Sequence, residues 1–372
     1  MSQNVNQNIN KKKPTEIKYS FSRYTKAPKT VLKNMGDTSY LNAVLQLIGN
    51  IRNIASFFLN PKNQTKIYGD ISHKPLSFVI CRLFQHLYPY PEKNIIELYE
   101  PNSLLDVLGI LNVVYKSRKT RNPNDLIIFI LNTLHNELND LKNNNIQHLD
   151  PDKFKRDNVI DCEIANFRNY NNSIISNNFN WFELKETKCD ICSLSLFNFY
   201  SYNTFELDIL GTYNYMNSSD ILTFYDCLSY HEKVPKNQNL FCKRCRKYNR
   251  MSSYSKIFLT SYILIFSLNR GDIVKNNIIN IQFKIEEKIN LTFFLEKKEF
   301  QSQYELIGIT SITQENNKLK YVSFCKSPVD NNWYLYNDEK VDQINFSYIM
   351  QFHNDRRQYI PCILSYKAMA NK

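Results

Sequence analysis

VLKNMGDTSYLNAVLQ, residues 31–46, is the stretch on which the fold turns. Leu41, Val44, Leu45 and Ile48 recur at i, i+3, i+4 and i+7, the spacing of one apolar helix face. Thr38 or Ser39 stands where an N-cap belongs, so the spacing predicts an amphipathic helix opening there. A second helix is predicted over residues 125–138, with Ile127, Ile130, Leu131, Leu134 and Leu138 in register. Asn-rich stretches at 143–145 and 169–172 read as loops. From about residue 180 the texture changes to short β-type runs, at 197–200, 262–268 and 304–309. Helices first and strands later, without alternation, give an α+β class.

The chain of 372 residues and 44.2 kDa can bury one large core or two moderate ones. With 43% hydrophobic and 14% aromatic residues, disorder is excluded for its bulk. No apolar run approaches the roughly 18 residues of a membrane helix, and the N-terminus has no signal-peptide core. A soluble protein of the cytoplasm or nucleus, with reduced thiols, is expected. The 49 Asn and only 7 Gly read as a bias of the whole chain rather than a functional signature.

The net charge of +12 must be located before it is interpreted. Residues 1–30 hold seven cations (Lys11, Lys12, Lys13, Lys18, Arg23, Lys26, Lys29) against Glu16, a net +6, which leaves +6 for residues 31–372. A disordered basic tail over 1–30 is expected, either a solvated leader or a nuclear signal. Contact with nucleic acid is expected only through that tail.

Cys189-Asp-Ile-Cys192 and Cys242-Lys-Arg-Cys245 are two CxxC knuckles. Each lets two thiolates reach one ion from a tight turn, and two knuckles close a tetrahedral four-thiolate site. The spacing points to structural zinc. A redox pair would need a single CxxC in a βαβ setting, which is missing. The gap between the knuckles exceeds the roughly 15–20 residues of a compact ribbon, so a β-hairpin or more is inserted.

The opening stretch resembles the first signature box of the ubiquitin-specific proteases, G-L-x-N-x-G-N-T-C-Y-M-N-x-x-L-Q. Asn34, Gly36, Thr38, Tyr40, Asn42, Leu45 and Gln46 match, but the nucleophilic Cys is Ser39. Asp125, Phe129, Leu131 and Leu134 fit the second box, whose Glu is Ile128 here. The paired knuckles fit the zinc-bearing fingers. YILIFSLNR (262–270) fits the strand L-I-I-H-L-x-R-F, with Gly271 replacing the last Phe. Residues 304–309 fit the strand before the catalytic His, which becomes Lys320 ahead of Tyr321. WYLYND (333–338) fits W-Y-x-F-N-D and keeps Asp338 as the third triad member, and residues 362–366 fit the closing strand.

The resemblance implies a papain-like cysteine-protease fold: a helical thumb (about 31–175), zinc-bearing β fingers (about 176–255) and a β-rich palm (about 256–372). It further implies Asn34 at the oxyanion-hole position and Asp125 and Tyr321 as partner-binding residues. Cys325 is expected to be a buried small residue, and His353 a surface loop residue.

A Ser hydroxyl ionises far less readily than a thiol and needs a competent base at the moment of attack. A neutral Lys could serve, but Asp338 beside Lys320 would hold it charged, so a Lys320–Asp338 salt bridge is expected. The resemblance therefore implies a catalytically inactive, monomeric domain that binds ubiquitin, a ubiquitin-like protein or a protein complex. An active deubiquitinase or Ser–Lys hydrolase stays open. So does a scaffold resembling the inactive spliceosomal tri-snRNP factor, although that branch tends to lose the knuckles kept here. The tail of ubiquitin is basic, and a mildly basic fold with Ile128 in place of Glu suits it less well.

Overall fold

The computed structural model describes residues 24, 26–89, 96–140, 156–216, 221–272, 277–296, 301–315, 318–355 and 358–370. The helix read outward from Ser39 is α1 (Ser39–Gly49), and all its residues are buried, not one face alone. It threads between other helices and a sheet, so its polar side chains find their donor partners inside the protein rather than in water. Asn42 Nδ2 donates to Leu32 O at 3.1 Å and Gln46 Nε2 to Thr30 O at 2.9 Å. Thr38 occupies the N-cap without making a side-chain cap. Its hydroxyl instead accepts from the Met35 N–H at 2.9 Å and donates to Asn34 Oδ1 at 3.2 Å, which ties the preceding loop.

Around α1 gather α2 (Arg52–Phe58), α3 (Pro61–Tyr68), α4 (Pro75–Leu87), α5 (Asn102–Leu111) and α6 (Pro123–Leu138). Asn-Pro pairs start α3 and α6: Asn60 and Asn122 cap with their side chains, and proline takes the first helical position. For α6 that places the start two residues ahead of the expected one; Ile127, Ile130, Leu131 and Leu134 are buried as read, Leu126 joins them, and Leu138 is only partly buried. Then come α7 (Arg156–Tyr170) and α8 (Ile174–Phe179), the latter opened by a Ser173/Ser176 capping box. The loop expected over 169–172 begins after Tyr170, and the one at 143–145 lies outside the described residues.

A short parallel pair, β1 (Val31–Leu32) and β2 (Leu98–Tyr99), braces the loop before α1. After α8 the chain runs through β3 (Trp181–Cys189), β4 (Ser195–Tyr202), β5 (Phe205–Leu207), α9 (Ile209–Met216), α10 (Phe224–Lys233), β6 (Lys236–Cys242) and β7 (Lys247–Leu259). Four of these strands form an antiparallel sheet in the order β4-β3-β7-β6. The remaining elements are β8 (Ile263–Leu268), the pair β9 (Gly271–Asp272) and β10 (Asn277–Ile278), β11 (Lys288–Asn290), β12 (Gln303–Glu315), β13 (Lys318–Lys326), β14 (Trp333–Asn337), β15 (Lys340–Ile344), α11 (Phe346–Met350) and β16 (Ile360–Ala368). They build an eight-stranded sheet in the order β15-β14-β13-β12-β16-β8-β5, with β11 also paired to β12. The architecture is α+β, with a helical thumb, a β finger sheet and a β palm. The divisions expected near residues 175 and 255 fall inside α8 and β7.

One core joins the thumb helices to the palm face beneath α1; a second fills the other palm face under α9 and α10. Contact between α1 and the palm is so close that a Cβ on Gly308 would collide with Leu47 Cδ1.

Two expectations are corrected here. Most of the 1–30 span lies outside the described residues, but its end is not a free tail. Ala27 and Thr30 are buried, Tyr336 Oη donates to Pro28 O at 2.6 Å, and Thr30 Oγ1 donates to His86 O at 2.6 Å. His353 is 2% exposed rather than a surface residue. The turn Gln351–Asp355 continues α11 and carries it inward, where its ring nitrogens meet Ser311 Oγ at 2.8 Å and Ile349 O at 2.7 Å. Cys325 is buried on β13, as read.

Candidate functional site

Ser39 is the first residue of α1, Lys320 and Tyr321 lie on β13, and Asp338 follows β14, so thumb and palm meet at these four residues. Asp338 sits at φ 51, a backbone region in which Asp and Asn are among the tolerated residues. The bend turns its carboxylate back toward the loop before α1. There Oδ2 accepts from Asn34 Nδ2 at 2.9 Å and Oδ1 from Asn42 Nδ2 at 2.8 Å.

Lys320 Nζ lies 3.2 Å from Asp338 Oδ2 and 3.1 Å from Glu315 Oε2. Burial works against its charge, but the Glu315 hydrogen bond and the Asp338 charge outweigh it and hold the ammonium above its ordinary range. Glu315 in turn is held low, chiefly by the hydrogen bond from Lys320. At neutral pH the position is a cation between two carboxylates.

Ser39 is 4% exposed, and its Oγ accepts from the Tyr321 backbone N–H at 3.1 Å. Among the described residues that is its one hydrogen-bond partner, and no basic nitrogen is bonded to it. Asn34 is engaged at both ends, since its Oδ1 also accepts from the Thr38 N–H at 3.0 Å. Asp125 stands exposed in the first turn of α6, its carboxyl pushed up by the desolvation its neighbours impose.

The structure brings Asn34, Ser39, Lys320 and Asp338 together. It does not make the Tyr321 side chain a partner surface. That ring is 1% exposed in the thumb–palm core, because neighbouring residues on a strand face opposite ways and Lys320 takes the open side. Only the backbone N–H of Tyr321 reaches the site. Asn42 and Glu315 were missed by sequence reasoning. Asn42 had a signal, a polar residue one helical turn beyond Ser39 on a helix that proves wholly buried. Glu315 had none, because its approach to Lys320 depends on the β12–β13 register.

At the far end of the finger sheet Cys189, Cys192, Cys242 and Cys245 bring their sulfurs within 4.8 Å of one another. Cys192 and Cys242 are 3.5 Å apart, and Cys189 and Cys245 4.0 Å. Tetrahedral metal–sulfur bonds of about 2.3 Å require sulfurs about 3.8 Å apart, so the set fits a single ion. Ser193 and Arg246, each just after a second cysteine, adopt φ 60 and 56, which turns both knuckles tightly. The Cys192 backbone N–H draws the Cys189 thiol down to about 6, whereas hydrogen bonding with Cys192 pushes the Cys245 thiol up to about 12. Four thiolates held this close would repel one another, and a bound metal ion would offset that repulsion. Asn249 Nδ2 donates to Cys189 Sγ at 3.7 Å. These four cysteines could hold a metal ion.

Comparison with known proteins agrees with this arrangement. The family model described as ubiquitin carboxyl-terminal hydrolase matches residues 30–366. "Probable ubiquitin carboxyl-terminal hydrolase 16" of Schizosaccharomyces pombe is 20% identical over 86% of this chain and 66% of its own length. Ubiquitin carboxyl-terminal hydrolase 2 of Bos taurus is 23% identical over 86% of this chain and 52% of its own length. The chain thus spans about half to two thirds of these curated relatives. Among solved structures, the SAGA Ubp8/Sgf11/Sus1/Sgf73 DUB module bound to ubiquitin aldehyde matches with TM-score 0.64 at 17% identity, over 96% of this chain and 72% of the other.

Proposed function

Because the chain belongs to the ubiquitin carboxyl-terminal hydrolase family, we propose that it is a ubiquitin-specific-protease-like domain that binds ubiquitin, or a ubiquitin-like protein, without cleaving it. The observation that carries this reading is Lys320, a cation fixed between Glu315 and Asp338 at the position of the general base. A charged ammonium has no lone pair to accept the Ser39 proton, and Asp338 already serves Asn34, Asn42 and Lys320. Loss of a nucleophile or base alone costs about 10⁶ in turnover in a related triad chemistry. Asn34, whose amide is held by Asp338 and Thr38, keeps its oxyanion-hole position as a scaffold element. Asp125, exposed in the first turn of α6, is the residue we assign to meet a basic tail.

Zinc is the ion we assign to the four cysteines, in a structural role, since four thiolates leave no open position for chemistry. The working units we propose are thumb, fingers and palm, with the fingers confined to β3, β4, β6 and β7, because β5, α9 and α10, inside the expected 176–255 span, join the palm. Among the described residues no helix is long and apolar enough to cross a membrane, and a cytoplasmic or nuclear location is proposed. Partnership in a protein complex is supported by the matched module, itself an assembly of four named proteins.

A fluorogenic substrate carrying ubiquitin on its scissile bond tests the catalytic half. No turnover above the Ser39→Ala variant is expected, and turnover that disappears in that variant would overthrow the proposal.

A further inference from the structure

The charge excess of the fold is not spread evenly. Residues 236–250 hold six cations, Lys236, Lys243, Arg244, Arg246, Lys247 and Arg250, and no carboxylate. That equals the whole +6 of residues 31–372. These residues form β6, the second cysteine knuckle and the start of β7, at the edge and tip of the finger sheet. Lys243, Arg244, Arg246, Lys247 and Arg250 are exposed. Among the described residues only Arg250 of these five meets a carboxylate, Asp190 at 3.4 Å on the surface. A zinc ion with four thiolates carries net −2, so the six cations still leave the tip positive.

Aromatic rings stand among these charges. Phe241 and Tyr248 are directly opposed across β6 and β7, 51% and 69% exposed, with ring centroids 5.7 Å apart at 71°. The next pair on the same sheet face, two residues along each strand, is Asn239 and Arg250. An open sheet face that alternates rings with cations and an amide offers π-faces for bases and positive charge for phosphates. A peptide of acidic residues would use the charges but has no use for two exposed rings.

We propose that the tip of the finger sheet is a binding surface for single-stranded nucleic acid, with Phe241 and Tyr248 stacking on bases and Arg250, on the same face, and Lys243, in the adjoining turn, contacting phosphates. This places a nucleic-acid contact on the fold, where the sequence reading expected none. It uses neither the cleft nor Asp125, so its test can be read apart from that of ubiquitin binding.

Fluorescence anisotropy of labelled 12-nucleotide single-stranded RNA and DNA, titrated with the full chain at several salt concentrations, tests this. Micromolar binding is expected, weakening with salt at a log–log slope of about −0.7 per phosphate contact. Lys243→Gln with Arg250→Gln should flatten the slope by about 1.4. Tyr248→Ser should weaken binding about 5- to 150-fold with the slope unchanged, the amount one stacked base contributes. Thermal melting and metal content of each variant check that the knuckles remain folded. The RNA and DNA arms decide which strand is preferred. Binding that is unchanged in both variants, or that polyglutamate competes away as well as unlabelled RNA does, overturns the proposal. So does absence of binding at low salt.

Discussion

Breaking Lys320 from Asp338 tests whether the cation at the base position is structural. Asp338→Asn is the informative change, because Asn tolerates φ 51 and the backbone need not move. The Asp338 side chain is 5% exposed and that of Lys320 23%, so the pair lies between exposed bridges, worth about 0.2–1 kcal/mol, and broken buried ones, which cost about 3–5 kcal/mol. Asp338→Asn also turns an amide N–H₂ toward Asn34 or Asn42, both donors, so a loss of about 3 kcal/mol is expected. Lys320→Met leaves Asp338 its two amide donors and frees an exposed Glu315, for a loss of about 1 kcal/mol. The double variant should lose about 2.5 kcal/mol, a coupling of about 1.5 kcal/mol. Urea unfolding of the four proteins measures it through midpoints at constant m. Because the Lys320 pKa is raised by folding, its contribution is full below the unfolded Lys value and fades as pH rises through the folded one. The cycle repeated in strong alkali should show less coupling. A coupling under about 0.3 kcal/mol at neutral pH would refute the reasoning, since Lys320 would then be free to act as a base.

Restoring both chemical positions with Ser39→Cys and Lys320→His should give measurable hydrolysis of a ubiquitin substrate, and Ser39→Cys alone should not; equal activity of the two would show that Lys320 already serves as base. Atomic absorption should find one zinc per chain and none in Cys192→Ser, whose melting temperature should fall by many degrees. His353 is held neutral by burial, its pKa drawn down to about 4, so the unfolded chain takes up that proton first as pH falls below about 6.5. Stability should decline by roughly 3 kcal/mol between those values, and His353→Gln should lack that part of the slope in urea midpoints. Gly308→Ala should cost about 1–3 kcal/mol by forcing Leu47 aside, and pairing it with Leu47→Ala should recover part of the loss of the single glycine variant, in a thermal melt.

Much of this was legible before any coordinates because local spacing carries it. The apolar register of α1 and α6, the two knuckles and the ordered boxes from Asn34 to Asp338 each lie within a few residues. What was not legible depends on distant segments meeting. Nothing local marks α1 as buried on all sides; that follows from its position between thumb helices and palm. His353 reads as a loop residue in Phe-His-Asn-Asp, and what draws it inward is Ser311, on a strand some forty residues earlier, together with Ile349 O one turn back. Tyr321 fails as a surface residue because strand alternation spends the open side on Lys320. The charge of the fold is concentrated in the contiguous residues 236–250, which the sequence alone displays; what needed the pairing of β6 and β7 is the facing of Phe241 and Tyr248 among those cations.

The central claim is that the cleft holds a ubiquitin tail and leaves it whole. Isotope-labelled ubiquitin with a short C-terminal extension, followed by NMR during titration with the full chain and for a day afterwards, tests both halves together. Saturable shifts at the ubiquitin C-terminus with the extension intact are expected. Cleavage of the extension by the native chain but not by Ser39→Ala, or no shift at millimolar concentration, would contradict it.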